Sequence, residues 1–250
     1  MIDGAEIVRD LMVSLGGLPL TLILVIVPML IALPLGFCMA VFAVRRTPVA
    51  SQLTRVFVSF MRGTPIIVQI FLIYNAMPLA IDAAFKAVGA PISIWDIDNL
   101  TYAITAFALS ETAILAEVFR AALNGVDSGQ LEAAECCGLT VGQAYVRIIV
   151  PQALTSALPV LANSTTELIK TTSLAFSMAI SDVTGLAKIQ GAASSDYFDA
   201  YLAVFVIYLV LVLVTEQLFK LAEHRANRAL GGKASSTARA KRVEAEANHA

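Results

Sequence analysis

The 250 residues are 58% hydrophobic and 14% charged, with a formal net charge of −2 and a mean hydropathy of +0.79. A water-soluble domain carries nearer a quarter charged residues, so this much apolar surface cannot hide in one soluble core, and lipid is the natural second solvent. The three cysteines (Cys38, Cys136, Cys137) form no disulfide framework or zinc spacing, the two histidines (His224, His249) lie in a polar tail, and no metal site or catalytic cluster is expected.

Residues 1–17 read as an external N-terminal segment. They lack a basic n-region and carry Asp3, Glu6 and Asp10, so no cleavable signal peptide is expected. Five apolar stretches follow, each long enough for a span of roughly 20 residues. The first runs from about Leu18 to Val44 and is interrupted by Pro19, Pro28 and Pro34, which predicts a kinked helix. The second runs from about Pro65 to Ile81, the third from about Leu100 to Leu123, the fourth from about Leu158 to Ile180 and the fifth from about Phe198 to Phe219. The fold class is therefore an all-α, polytopic membrane bundle of five spans. Residues 18–222 form its membrane domain and 223–250 a polar cytoplasmic tail that reads as frayed beyond Leu230.

Basic residues set the orientation. Arg45, Arg46, Arg55 and Arg62 lie between spans one and two, Arg120 and Arg147 flank the connection after span three, and Lys220, Arg225 and Arg228 follow span five. Only Arg9, Lys86 and Lys188 fall on the other side. This bias puts the N-terminus outside and the C-terminus in the cytoplasm. Trp95 stands before span three, as an outer aromatic-belt residue would.

The cytoplasmic connection 124–152 carries helix signals of its own. Asp127 or Ser128 can cap a short helix through Cys136, and Gly138 suits its C-terminus. Thr140 and Gln143 form a capping box for a second helix, expected to run to Val150 and end against Pro151. Arg147 is the one base in that unit, which is tethered between two spans, so a DNA-reading helix-turn-helix is excluded and no nucleic-acid partner is expected. A hairpin placed there must dock onto the chain's own helices or onto a soluble partner.

Charges inside spans are costly, at about 2.5–3.5 kcal/mol for Asp, Lys or Arg at mid-helix. Glu117 and Arg120 are three residues apart and can share one helix face as a structural pair. For Glu111, Glu167 and Lys170 two readings stand. One is a neutralised ion-pair network packing spans three and four. The other is a polar lining, with Ser110, Thr112, Asn163, Thr166 and Thr171, for a substrate that carries both charges. Arg62, Gly63, Thr64 and Pro65 stand where the chain re-enters the membrane, as a basic anchor and a proline at a helix start.

The connection reads Glu132, Ala133, Ala134, three residues, Gly138, nine residues, Ile148, one residue, Val150, Pro151. This resembles the E-A-A-x3-G-x9-I-x-L-P loop of importer-type ABC permeases, with Val150 in place of leucine. Phe60–Pro65 followed by Val68, Gln69 and Tyr74, Ala116–Arg120, Gly17–Leu22 and Lys170–Leu174 resemble signatures of the polar amino-acid branch, and Thr172–Phe176 resembles members for cystine or basic amino acids.

The resemblance implies a MetI-like permease fold in the bacterial inner membrane. It also implies partners: an ABC ATPase dimer gripping the 124–152 loop, a second permease subunit (an identical copy or a homologue), an external solute-binding protein and a polar amino-acid substrate. Glu132, Ala133, Ala134, Gly138, Ile148 and Pro151 would couple to the ATPase, and Arg62–Pro65 would belong to the gate. No phosphate-cradling G-x-x-x-x-G-K-[ST] run occurs, so no cofactor is expected on this chain and ATP would be bound by the partner. An ion-gradient-driven transporter would carry more spans and internal repeats. A membrane enzyme would need a catalytic cluster, and none is visible.

Overall fold

The computed structural model describes residues 4–89 and 97–230, and every regular element among them is helical. Trp95 and the tail beyond Leu230 lie outside the described residues. Ten α-helices follow in chain order: α1 (Gly4–Leu15), α2 (Leu18–Val44), α3 (Pro48–Gly63), α4 (Ile66–Val88), α5 (Asn99–Asn124), α6 (Ser128–Cys136), α7 (Val141–Ala144), α8 (Val150–Thr171), α9 (Val183–Ser194) and α10 (Tyr197–Leu230). Among the described residues, five helical stretches are long and apolar enough to cross a membrane: α2, α4, α5, the run from Val141 to Met178, and α10.

The centre is the pair α2 and α5, backed by α8. Ala32, Gly36 and Ala40 repeat every fourth residue on the buried face of α2. A Cβ on Gly36 would sit 2.9 Å from Leu115 Cβ and 3.0 Å from the Ala116 nitrogen, so the two backbones approach as closely as glycine permits. Phe37 meets Phe119 edge to face at 5.5 Å, and Leu24, Phe107 and Leu115 fill the core. The outward faces are the apolar ones. Leu30 on α2 and Phe205, Val210, Leu213 and Leu218 on α10 are exposed, the pattern for a molecule solvated by lipid.

The structure changes several sequence expectations. Pro19 does not interrupt the first span. It occupies the first turn of α2, where the missing N–H is not needed, while Pro28 and Pro34 lie within one continuous helix. The arginine-bearing connection between spans one and two is itself the amphipathic helix α3, whose apolar residues recur at helical rather than continuous spacing. The fourth span neither starts at Leu158 nor is cut off at Pro151. A π turn at Tyr145–Ile149 joins α7 to α8, with the Val150 N–H donating to the Tyr145 carbonyl. Pro151 then falls in the first turn of α8, so its absent N–H costs nothing. Beyond Thr171 the chain tightens into a 3₁₀ segment, Thr172–Met178, and Ala179 turns out of it with φ 59°. The last helix runs on to Leu230, past the expected boundary at residue 222.

The N-terminal segment is helical over most of its described length. From Gly4 it forms α1, which packs on α9 and α10 and buries Asp10 and Ser14. Asp182 caps α9 by accepting the Gly185 N–H at 2.8 Å. Gly17 is required just there, because a Cβ on it would lie 2.3 Å from the Asp182 carbonyl carbon. Thr21 accepts the Val183 N–H at 3.3 Å, tying the start of α2 to the start of α9.

Candidate functional site

The segment between α5 and α8 folds by local rules. Asp127 caps α6, its carboxylate accepting the Gly129 N–H at 2.7 Å. The helix ends in a Schellman turn: Gly138 N–H donates to Glu135 at 2.9 Å and Leu139 N–H to Ala134 at 3.1 Å. Gly138 takes φ 82°, which only glycine adopts cheaply, while nothing crowds its missing side chain. Thr140 and Gln143 then make the expected reciprocal capping box, at 3.3 and 3.0 Å.

The hairpin has an inside and an outside. Ala134, Ala144 and Ile149 are buried, with Leu131, Tyr145 and Ile148 packed partly against the core. The two alanines of the motif therefore separate: Ala134 lets α6 close on its own second helix, whereas Ala133 faces out beside Glu132. Cys136, Cys137, Gly138, Val141 and Val146 are exposed with them, Val146 to 72%. Pro151 lies behind this surface, half-buried in the first turn of α8.

A second constellation holds the re-entry turn. Gln69 is buried, and its side-chain amide donates to the Met61 carbonyl at 2.6 Å, the Thr64 carbonyl at 2.9 Å and the Thr64 hydroxyl at 3.0 Å. One side chain thus fastens the last turn of α3 to the first of α4, and Pro65 sets the extended step between them. Arg62 and Gly63 line a cleft of about 630 Å³ between α2, α3 and α5 together with Arg55, Glu117 and Arg120. Glu117 and Arg120 form the expected pair, with two contacts of 2.5 and 2.9 Å. Gly63 has no close neighbour, and nothing in the geometry requires glycine there.

The intramembrane charges divide. Glu111 is buried and accepts a hydrogen bond from Ser164 at 2.7 Å, linking α5 to α8. It takes no part in an ion-pair network with Glu167 and Lys170. Among the described residues those two pair only with each other, on the outward face of α8, and their side chains are 68% and 51% exposed. Asn163 shares that exposed face, with Thr171 half-buried at its edge and its hydroxyl donating to the Glu167 carbonyl at 2.8 Å. The ion-pair network, one of the two readings, does not form among the described residues, because Glu111 lies within the α5–α8 contact and Glu167 on the outward face of α8.

Sequence reasoning gave no role to Ser164, Asp182 or Tyr208, and placed Gln69 only within a signature. The Tyr208 hydroxyl lies 3.3 Å from Asp182 Oδ2 and Thr172 Oγ1 and 3.1 Å from Thr184 Oγ1, joining α9, α10 and the 3₁₀ segment. The available signal was a polar residue within an apolar run, which tells of burial but not of a partner.

A family profile described as the binding-protein-dependent transport system inner membrane component matches residues 32–228. A probable amino-acid permease of Bacillus subtilis (strain 168), YxeN, is 39% identical over 85% of this chain and 90% of its own. The L-cystine transport system permease TcyL of the same organism is 35% identical over 84% of this chain and 86% of its own. A solved amino acid ABC transporter with histidines superposes with a TM-score of 0.76 at 28% identity, covering 90% of this chain and 99% of that one. An inward-facing methionine ABC transporter shares the fold at 20% identity with a TM-score of 0.56.

Proposed function

This chain belongs to the family of binding-protein-dependent transport system inner membrane components, and from that premise we propose that it forms one half of the membrane pore of an ATP-driven importer for a polar amino acid. The substrate class is supported by the relatives, a probable amino-acid permease and an L-cystine transport permease among them. In this reading the chain lacks an ATPase site. A separate ATPase dimer grips the hairpin from the cytoplasm, an external solute-binding protein delivers substrate, and the N-terminus lies outside, as the arginine distribution indicates.

The observation that carries the reading is the hairpin. It is folded by its own caps and its own buried seam, yet among the described residues it presents Glu132, Ala133, Gly138, Val141 and Val146 outward and exposed. Rigid attachment suits it to force transmission. Because the π turn makes Val141–Met178 one helical run, a push on α7 is carried straight into α8.

The outward face of α8 supports a two-subunit pore. A carboxylate and an ammonium on a lipid-facing helix would each cost several kcal/mol. Glu167, Lys170 and Asn163 are affordable if a second permease subunit covers them around a watery path. That path would meet a zwitterion with an acceptor and a donor side by side. Glu111, already satisfied by Ser164, is assigned to holding α5 against α8 and not to the path.

Reconstitution tests this. The chain with its ATPase and a loaded solute-binding protein should take up radiolabelled amino acid only with hydrolysable ATP. Replacing Glu132 or Gly138 should abolish uptake while membrane insertion stays normal. Uptake that ran without ATP and collapsed with an ionophore would favour a gradient-driven carrier instead.

A further inference from the structure

We propose that Glu6, Asp196 and Asp199 form a site for one calcium-type divalent cation that clips α1 to the start of α10. Glu6 comes from α1, Asp199 from the first turn of α10 and Asp196 from the position just before it, and their ligand oxygens all lie within 4.8 Å of one another. That is the widest separation two oxygens can have on one ion with bonds of about 2.4 Å.

Helix capping accounts for Asp196, whose Oδ1 accepts the N–H groups of Phe198 at 3.0 Å and Asp199 at 3.4 Å. It does not account for Asp199. This residue is only 2% exposed, and its Oδ2 is buried without a hydrogen-bond partner among the described residues. Asp10, one turn along α1 from Glu6 and 4% exposed, adds a fourth carboxylate on the α1 stripe that packs toward α9 and α10. Among the described residues, the ion pairs lie elsewhere and none involves these four acids. A buried carboxylate with no partner is expensive, and a converging set of them is more so.

A bound cation removes both costs. All-oxygen, all-anionic ligands select a hard divalent ion, and three carboxylates leave positions for water, which calcium's loose geometry accepts better than magnesium's strict octahedron. Glu6 is exposed and Asp196 partly so, which gives the ion a way in. The site does not depend on the transport reading. If that reading's orientation holds, the clip lies on the outer face.

The test uses the full-length chain in nanodiscs, stripped with EGTA and followed by thermal unfolding and by equilibrium dialysis of radioactive calcium. We expect one ion per chain, a Kd of about 0.1–1 mM, a rise in Tm of several degrees and a smaller rise with magnesium. Asp199→Asn and Glu6→Gln should each remove the binding and the rise, and the stripped variants should melt at or above the stripped parent. No saturable binding, equal response to magnesium, or binding that survives both substitutions would overturn the site.

Discussion

The α2–α5 seam and the hairpin between α5 and α8 are both built on small residues, and they use them for opposite purposes. At the seam, Ala32, Gly36 and Ala40 are buried and let two backbones touch, so their smallness is spent inside the chain. In the hairpin Ala134 and Ala144 are used that way, while Ala133 and Gly138 are exposed, and among the described residues a Cβ on Gly138 would meet nothing. Small size at an internal contact is a packing requirement. On an outward surface that is otherwise rigid, it keeps room for another molecule.

The contrast can be broken by enlarging one residue on each side. Gly36→Leu should have the largest effect, because even a Cβ there is 2.9 Å from its neighbour. Overpacking of about 1–3 kcal/mol or more should deplete the folded chain from membranes, read as lost monodisperse protein after extraction. Ala133→Trp should leave yield and Tm within the small range of ordinary surface substitutions. It should still lower ATP-driven uptake about tenfold or more, the equivalent of about 1.4 kcal/mol lost at the docking step. If Ala133→Trp instead destabilised the chain, the hairpin would be an internal contact like the seam.

Two smaller changes sharpen the picture. Gln69→Leu removes the donor shared by the Met61 and Thr64 carbonyls and should cost about 1–3 kcal/mol, read as a lower Tm with the spans intact. Thr140→Ala deletes half the capping box and should cost about 1 kcal/mol, confined to faster hydrogen exchange at the Gln143 amide.

The spans were legible because each is a long, predominantly apolar run, and the hairpin because its caps act within a few residues of themselves. Asp127, Gly138, Thr140 and Gln143 all do what their local chemistry dictates. The helix α3 was hidden because its apolar residues recur at helical spacing among Ser, Gln, Thr and Arg and form no continuous run, and α9 because it is short and depends on Asp182 and Gly17 meeting across the fold. Pro151 misled for a physical reason: a proline ends a helix only where its N–H would have been used, and the π turn before it removes that need. Whether Glu111 or Glu167 faced the interior was invisible, since both sit at helical spacing within apolar spans. Only the packing of α5 on α8 separates the satisfied acid from the exposed one.

The decisive measurement is thiol cross-linking from the outward alanine of the hairpin. Ala133→Cys would be placed in a chain carrying Cys38→Ser, Cys136→Ser and Cys137→Ser and expressed in its own membranes. The expected result is an adduct with a nucleotide-hydrolysing subunit, formed from the cytoplasmic side and changed in yield by ATP. Labelling of that cysteine by an impermeant maleimide added to intact cells, with no such adduct, would contradict the assignment of the hairpin as the place where the motor takes hold.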